Sequence, residues 1–513
     1  MILLVHNHQN VLEVKHLEND VSIALTSNLI IPTLFELAKN HDDFVVWIHV
    51  DHFPNLNVNE LSSIFHHKKI MASFASNEYF PKELGFVHDA TPNAKINKNV
   101  KYATWFMVSA VGGIHLSIIQ QLDFTIYKND SFNYFLYSIA LIGMYTEGLF
   151  CYSEPKLLLT TNDEIKVPTA SKTELFRFVS QHQRTRWTFF LLLSFIIYKK
   201  EYPILPFINS FFYKKRKFKK GLFDGIEVQT SKSYTDDFEI DVIIPTIGRK
   251  NYLHDVLKDF SKQTILPKKI IIVEQNPEPE SSSELDYITN ESWPFLIEHL
   301  FIHQNGACNA RNLALDRTNS KWVFLADDDN RFEADLLAKC YQNIKQYGCE
   351  VLTTSYLQEK EKQVLKKVLQ WHTFGAGNSI VLRECLQDVR FDLRLEFGYG
   401  EDADFGMKLR NKGYDIIYFP DPNILHLKAP IGGFRTKPIL AWHQEEIQPK
   451  PSPTIMLYAL LNKTLEQRQG YQIRLFIKNY RDQKIKNPFA YVSSMKQQWE
   501  KSVFWANYLK DSK

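Results

Sequence analysis

The stretch 320–330, SKWVFLADDDN, limits what this chain can become more than any other. Trp322–Ala326 is an apolar run with the length and composition of a buried strand. It delivers Asp327, Asp328 and Asp329 where that strand ends, and helical spacing resumes over 334–341. Three adjacent carboxylates repel one another and cannot stay buried without partners. A hard divalent cation, Mg²⁺ or Mn²⁺, would resolve the conflict, because it takes oxygen ligands and shares them with substrate phosphates. Taken alone, the triplet also fits an acidic surface turn.

A chain of 513 residues, 44% hydrophobic and 23% charged, is ordered and long enough for two to four domains. Its net charge of only +3 gives no electrostatic basis for binding nucleic acid. Cysteines 151, 308, 340, 349 and 385 contain no C-x-x-C pair, and their odd number does not suit a disulfide framework. That pattern points to a reducing, cytoplasmic compartment. Met1–His6 has neither a basic leader nor a long apolar core, so it reads as a first strand rather than a signal peptide.

Residues 1–165 alternate strand-like runs (Ile2–Val5, Phe44–Val50) with helical periodicity (Leu56–Phe65, Phe135–Met144), as in an α/β layer structure. Residues 166–236 differ. The apolar run Trp187–Tyr198 is too short to span a bilayer, which takes about 20 residues. An aromatic segment, 202–213, follows it, and then the basic run KKRKFKK at 214–220. Aromatic area beside basic charge suits an in-plane anchor on an anionic membrane, on the inner face of the cell membrane; a helical linker with solvated lysines suits the same residues. In 237–440 strand-like runs (Ile240–Pro245, Lys269–Glu274, Glu298–His303, Lys321–Ala326) enclose a helical one (Tyr252–Lys262). That order predicts a mostly parallel sheet with ligands at the carboxyl ends of its strands. Pro449, Pro451 and Pro453 open a helical extension, 441–513.

Further motifs lie within 237–440. The loop 304–314, QNGACNARNLA, combines Asn305, a turn glycine Gly306, a helix start near Ala307 and the cation Arg311, a set suited to phosphate. Gly375 and Gly377 permit close backbone approach to a ligand. Glu401 and Asp402 open an amphipathic helix after a glycine-flanked loop, where they either cap the helix or reach a substrate. His426 ends another strand-like run.

In this order, together with Pro245 and Thr246 at the first strand end, these pieces over residues 239–430 resemble the family 2 glycosyltransferases. The resemblance implies a GT-A fold, a Rossmann-like mixed α/β sheet that binds a nucleotide-diphospho-sugar donor. It assigns Pro245, Thr246, Glu274, Asn305, Gly306, Arg311, Asp327 and Asp328 to the donor, with Glu274 on its base or ribose. Asp327, Asp329 and His426 would hold Mn²⁺ or Mg²⁺; Asp402 would be the general base, with Glu401 binding the acceptor or orienting that base; Gly375 and Gly377 would face the acceptor. Where the family often has Asp-Asp-Gly-Ser after the second strand, this chain has Glu274-Gln-Asn-Pro277. The implied activity is inverting sugar transfer to a glycan or lipid-linked acceptor in cell-surface polysaccharide synthesis. A non-catalytic nucleotide-sugar-binding or scaffold protein is the rival. A metal phosphohydrolase would need an Asp-x-Asp-x-Thr motif, which this sequence lacks.

An internal repeat extends the reading. Phe44–Asp51 lies over Lys321–Asp328, Gly113–Ile119 over Gly377–Arg383, and Leu149–Leu159 over Ile416–His426. In that register Tyr134 and Phe135 replace Glu401 and Asp402, Leu159 replaces His426, and only Asp51 of the acidic triplet survives. Residues 1–165 are then expected to be a degenerate GT-A-like domain without metal or base.

Overall fold

A computed structural model describes residues 1–89, 94–161, 165–234, 238–430, 439–481 and 483–512. They form two compact units. The first comprises Met1–Ser233, Gln346–Gly348 and Thr464–Leu475; the second comprises Tyr234–Lys345, Cys349–Lys463 and Phe476–Lys513. The expected linker 166–236 therefore lies within the first unit as far as Ser233; Tyr234 belongs to the second, and positions 235 and 236 fall outside the described residues. The expected extension 441–513 is divided, its middle belonging to the first unit.

In the second unit, β8 (Ile240–Thr246), β9 (Lys269–Gln275), β10 (Leu296–Ile302) and β11 (Trp322–Ala326) lie parallel in the order β10-β9-β8-β11. The Ile- and Val-rich cores of β8, β9 and β11 are almost wholly buried, as strands covered on both faces must be. Buried Asp241 fixes the start of β11: its carboxylate accepts from Asn319 N (2.7 Å), Ser320 N (2.9 Å) and the Ser320 hydroxyl (2.7 Å). The sheet continues through β12 (Asn330–Arg331), β13 (Val351–Leu357), β14 (Leu369–Gln370), β15 (Asn378–Leu382) and β16 (Ile416–His426). The four strands read from the sequence are parallel as expected; beyond them the sheet turns mixed, as the resemblance implied. β15 sits antiparallel between β11 and β13, β16 runs parallel to β13, and β12 and β14 pair antiparallel with β16. The sheet is mixed.

The first unit has seven strands: β1 (Ile2–His6), β2 (Val11–His16), β3 (Phe44–His49), β4 (Ile70–Phe74), β5 (Tyr102–Ala103), β6 (Val111–His115) and β7 (Phe150–Ser153), in the order β2-β1-β3-β6-β4-β7-β5. It is an α/β domain. The helical reading of Leu56–Phe65 shortens to Leu61–Ile64 after a tight turn, Val58–Glu60, whereas Phe135–Met144 lies inside the helix Phe132–Thr146.

The two sheets share one path. β1-β3-β6-β4-β7 repeats the parallel and antiparallel relations of β8-β11-β15-β13-β16, and β5 pairs with β7 as β14 pairs with β16. Registers agree as well. Val45 faces Ile2 and Ile114 as Val323 faces Asp241 and Val381, and Tyr102 faces Ser153 as Leu369 faces Tyr418. This register departs from the sequence alignment by one residue at β3, three at β6 and two at β7, since Val45 matches Val323, Ile114 matches Val381 and Cys151 matches Ile416; along the strands His49 matches Asp327, and Asp51 matches Asp329 rather than Asp328. In place of acids, the helix Phe132–Thr146 carries Tyr134 and Phe135 in its first turn, both fully buried.

Candidate active site

The carboxyl ends of β8 and β11 open onto a cavity of about 560 Å³ in the second unit. Pro245, Thr246, Asn305, Gly306, Arg311, Asp327, Asp328, Asp329, Gly375, Gly377, Glu401, Asp402 and His426 all line it. Glu274 does not. Its carboxylate is already engaged by the Ser283 hydroxyl (2.5 Å), Glu284 N (3.1 Å) and His299 Nε2 (2.9 Å), so it braces the loop after β9, and the next residue, Gln275, reaches the cavity.

Each acid of the triplet has a separate environment. Asp327 Oδ1 accepts from Arg311 at 2.8 Å, and its Oδ2 lies 3.0 Å from the Tyr356 hydroxyl. Asp328 turns inward, accepting from the Thr246 hydroxyl and from Arg249 Nη1, both at 2.6 Å. Burial pushes the Asp328 carboxyl up to about 6, against the opposing pull of Arg249. Asp329 Oδ2 accepts from Ala429 N at 2.9 Å, while its Oδ1 is buried and accepts no hydrogen bond. His426 Nε2 stands 3.4 Å from that orphaned oxygen. The antiparallel pairing Asn330↔His426 brings it there, and the Tyr356 ring stacks on the imidazole at 4.6 Å.

Asp327, Asp329 and His426 each present one ligand atom, all within 4.8 Å of one another; no other such group occurs among the described residues. Two carboxylate oxygens, one without any other partner, and an imidazole nitrogen fit a divalent cation of the Mn²⁺ or Mg²⁺ type.

Glu401 and Asp402 begin the helix Glu401–Asn411, behind Gly400 at φ +112°. Asp402 Oδ2 stands 3.5 Å from Ala376 N. Burial raises the Asp402 carboxyl to about 6 with Arg311 opposing; burial and then the Asp402 charge raise Glu401 to about 7. Burial thus moves both carboxyl groups toward neutral pH.

At both cavity glycines the protein's own side chains stand close. A Cβ at Gly377 would stand 2.1 Å from Asp327 Oδ2, and one at Gly375 would stand 2.0 Å from Asn378 Oδ1. The helix Ala307–Leu315 does not present a free N-terminus for phosphate, because Glu396 accepts from Cys308 N (3.0 Å) and Asn309 N (2.9 Å). The sequence reading passed over Arg249, Gln275, Tyr356 and Glu396. Arg249 follows the turn glycine Gly248 and could have been found by asking what neutralises Asp328; Glu396 carries no local signal, since it reaches the helix from 88 positions away.

The mixed α/β sheet, with a strand-end acidic cluster, a late strand histidine and a helix-borne acid pair, is the arrangement that the resemblance to GT-A glycosyltransferases implies. Residues 241–396 match the family model described as Glycosyl transferase family 2. No curated protein sequence matches the chain. Among solved structures, S. aureus TarS 1–349 aligns at 19% identity and TM-score 0.32, over 37% of this chain and 60% of that one. TarS 1–349 in complex with UDP-GlcNAc aligns at 18% and 0.38, over 52% and 79%. GalNAc-T7 with UDP, GalNAc and Mn²⁺ aligns at 12% and 0.31, over 38% and 45%.

Proposed function

We propose that the second unit transfers a sugar, with inversion, from a nucleoside diphosphate donor to a hydroxyl of a glycan or lipid-linked acceptor during cell-surface polysaccharide synthesis. One observation carries this reading: Asp327, Asp329 and His426 share a cavity with the buried pair Glu401 and Asp402 inside a family 2 domain. Asp327, Asp329 and His426 would hold Mn²⁺ or Mg²⁺. Such an ion, when bound, neutralises the departing diphosphate.

The remaining chemistry belongs to the chain. Asp402 accepts the proton of the acceptor hydroxyl as that oxygen attacks the anomeric carbon from the face opposite the diphosphate. The carbon–oxygen bond to the diphosphate breaks with its electron pair, in one displacement. Arg311, held to Asp327, keeps a fixed cation beside the base and the acid triplet. Arg249 holds Asp328 ionisable in a buried position and so fixes the turn on which Asp327 and Asp329 stand.

The first unit, in this proposal, is a duplicated GT-A-like domain without chemistry that docks or holds an acceptor. Its shared sheet path and register support the duplication. Where the second unit has Pro245, Asp327 and Asp329, it has His6, His49 and Asp51, and His6 is buried with its Nε2 2.8 Å from Ser109 O. All five cysteines are buried and none forms a disulfide, which accords with a reducing compartment. Among the described residues no helix is long and apolar enough to cross a membrane.

Calorimetry with candidate nucleoside diphosphates and Mn²⁺ tests the site. The intact protein should bind in a metal-dependent manner and Asp329→Ala should not. Equal affinity in both proteins, with and without chelator, would sink the ion assignment, and the absence of donor turnover across a panel of nucleotide sugars would favour a scaffold.

A further inference from the structure

Within the first unit, the helices Arg186–Ser194 and Ile204–Ser210, with the turn of wider helix Phe195–Lys199 between them, leave an apolar face uncovered. Phe189, Phe207 and Phe211 interlock, with ring centroids 4.9 to 5.7 Å apart, and so hold the two helices as one platform. Outward from it stand Ile204, Leu205, Ile208 and Phe212. At about 100° per residue these positions fall within one stripe roughly a quarter-turn wide. Leu205 is 73% exposed and Phe212 82%, and Ile197 and Tyr202, just before the helix Ile204–Ser210 in the chain, are exposed as well. Scattered exposed apolar side chains are ordinary, but a contiguous set on one short helix and its flanks is not.

The charge beside this face is sorted. Of the basic run 214–220, two members are used internally. Arg216 is buried and pairs with Asp130 at 2.6 Å and 3.0 Å, and Lys215 Nζ donates to the carbonyls of Ser180 and Gln183. Lys214, Lys217, Lys219 and Lys220 are exposed, starting two residues after Phe212. Arg216 and Lys215 thus anchor the segment, and four lysines are left facing solvent directly behind an apolar stripe. A protein partner of unknown kind would explain the apolar area, but only an occupant both anionic and apolar explains the area together with the lysines.

We propose that this face is an in-plane docking surface for an anionic lipid bilayer, with Leu205, Ile208 and Phe212 entering the headgroup–acyl boundary and the four lysines meeting the headgroups. Apolar insertion and charge are separable contributions to such binding, and both are needed for stable attachment. The proposal concerns attachment alone and stands independently of the transfer chemistry.

Flotation of the full chain with phosphatidylcholine vesicles, with and without phosphatidylglycerol, tests it. The protein should float only with the anionic vesicles. Alanine at Lys214, Lys217, Lys219 and Lys220 should weaken partitioning by about fivefold per lysine. Leu205→Asp with Phe212→Asp should abolish it at any charge of vesicle, while thermal melting of both variants stays at the wild-type temperature, because the altered side chains are exposed. Wild-type protein that stays with the soluble fraction, or floats equally with neutral vesicles, overturns the proposal. So does a self-association in sedimentation velocity that the Leu205/Phe212 change removes while vesicle binding is nil; the face would then join two copies of this chain. Donor hydrolysis in detergent-free solution should be unaltered in all variants, so a failed membrane proposal would leave the transfer reading untouched.

Discussion

Asp402 concentrates two opposed demands. As the proposed base it must have its carboxyl ionised to accept a proton, yet burial holds that carboxyl up to about 6. Asp402→Asn is expected to leave donor binding intact and to lower turnover by roughly a hundred- to ten-thousand-fold, as loss of a general base does. In the unaltered protein, turnover should rise with pH through about 6, where Asp402 loses its proton, and near-normal transfer by the Asn variant would exclude this residue as the base. The stability sign is the reverse. A carboxyl raised in the folded state binds more protons folded than unfolded, so its contribution falls as pH rises from its unfolded value through about 6. Asp402→Asn should therefore melt higher than the parent at pH 8, a cost of function that differential scanning calorimetry can read directly. Asp328 is likewise raised to about 6 by burial, but it is paired directly with Arg249 at 2.6 Å. Arg249→Met leaves it without that partner and should cost about 3 kcal/mol, measured by urea unfolding.

Among elements, the loop-to-helix junction at Gly306 decides whether the cavity keeps its shape. Gly306 sits at φ +142°, and a Cβ there would stand 2.5 Å from Glu396 Oε2. Gly306→Ala should cost on the order of 1–3 kcal/mol and displace Glu396 from the helix it caps. Glu396→Ala, which removes only the cap, should cost about 1 kcal/mol, and a larger loss in the second than in the first would refute this account. The same junction explains why some of the site could be read from the sequence and some could not. Asp327, Asp329, Asp402 and His426 each stand at the end of a strand or the start of a helix, where local pattern places them. Glu274 stands at such an end too, but its partners Ser283 and His299 come from neighbouring segments and draw it away from the cavity. Arg249, Tyr356 and Glu396 take their meaning from long-range pairings, as does β15's antiparallel insertion, and periodicity carries no information about which strand a strand will neighbour.

For the molecule as a whole, the shared sheet path of the two units predicts an unequal outcome from matching substitutions. Asp51→Ala, at the position matched to Asp329, should leave donor turnover unchanged, whereas Asp329→Ala should abolish it, as should Asp327→Ala; a loss of turnover in the first would overturn the reading of a domain without chemistry. The helix Leu465–Tyr480 complicates any attempt to study the units separately. Its first part belongs to the first unit, where Gly470 packs so tightly that a Cβ would lie 2.0 Å from Phe86 O, and where Arg474 pairs with Asp89 at 2.6 Å. Removing residues 1–233 should leave that helix face bare and lower the solubility and melting temperature of what remains.

The same helix also sets a timetable for synthesis. A chain emerges from the ribosome N-terminus first, at about 5–20 residues per second. The sheet of the first unit is complete by Ser153, but Thr464–Leu475 must still be made before that unit has all its parts. For tens of seconds the nascent protein therefore carries a first unit with an open groove at Phe86, and the catalytic sheet is translated in the interval. Chaperones that shield apolar surface on nascent chains would find it there, and chains arrested after residue 233 should be cut by protease where chains arrested after residue 475 are not.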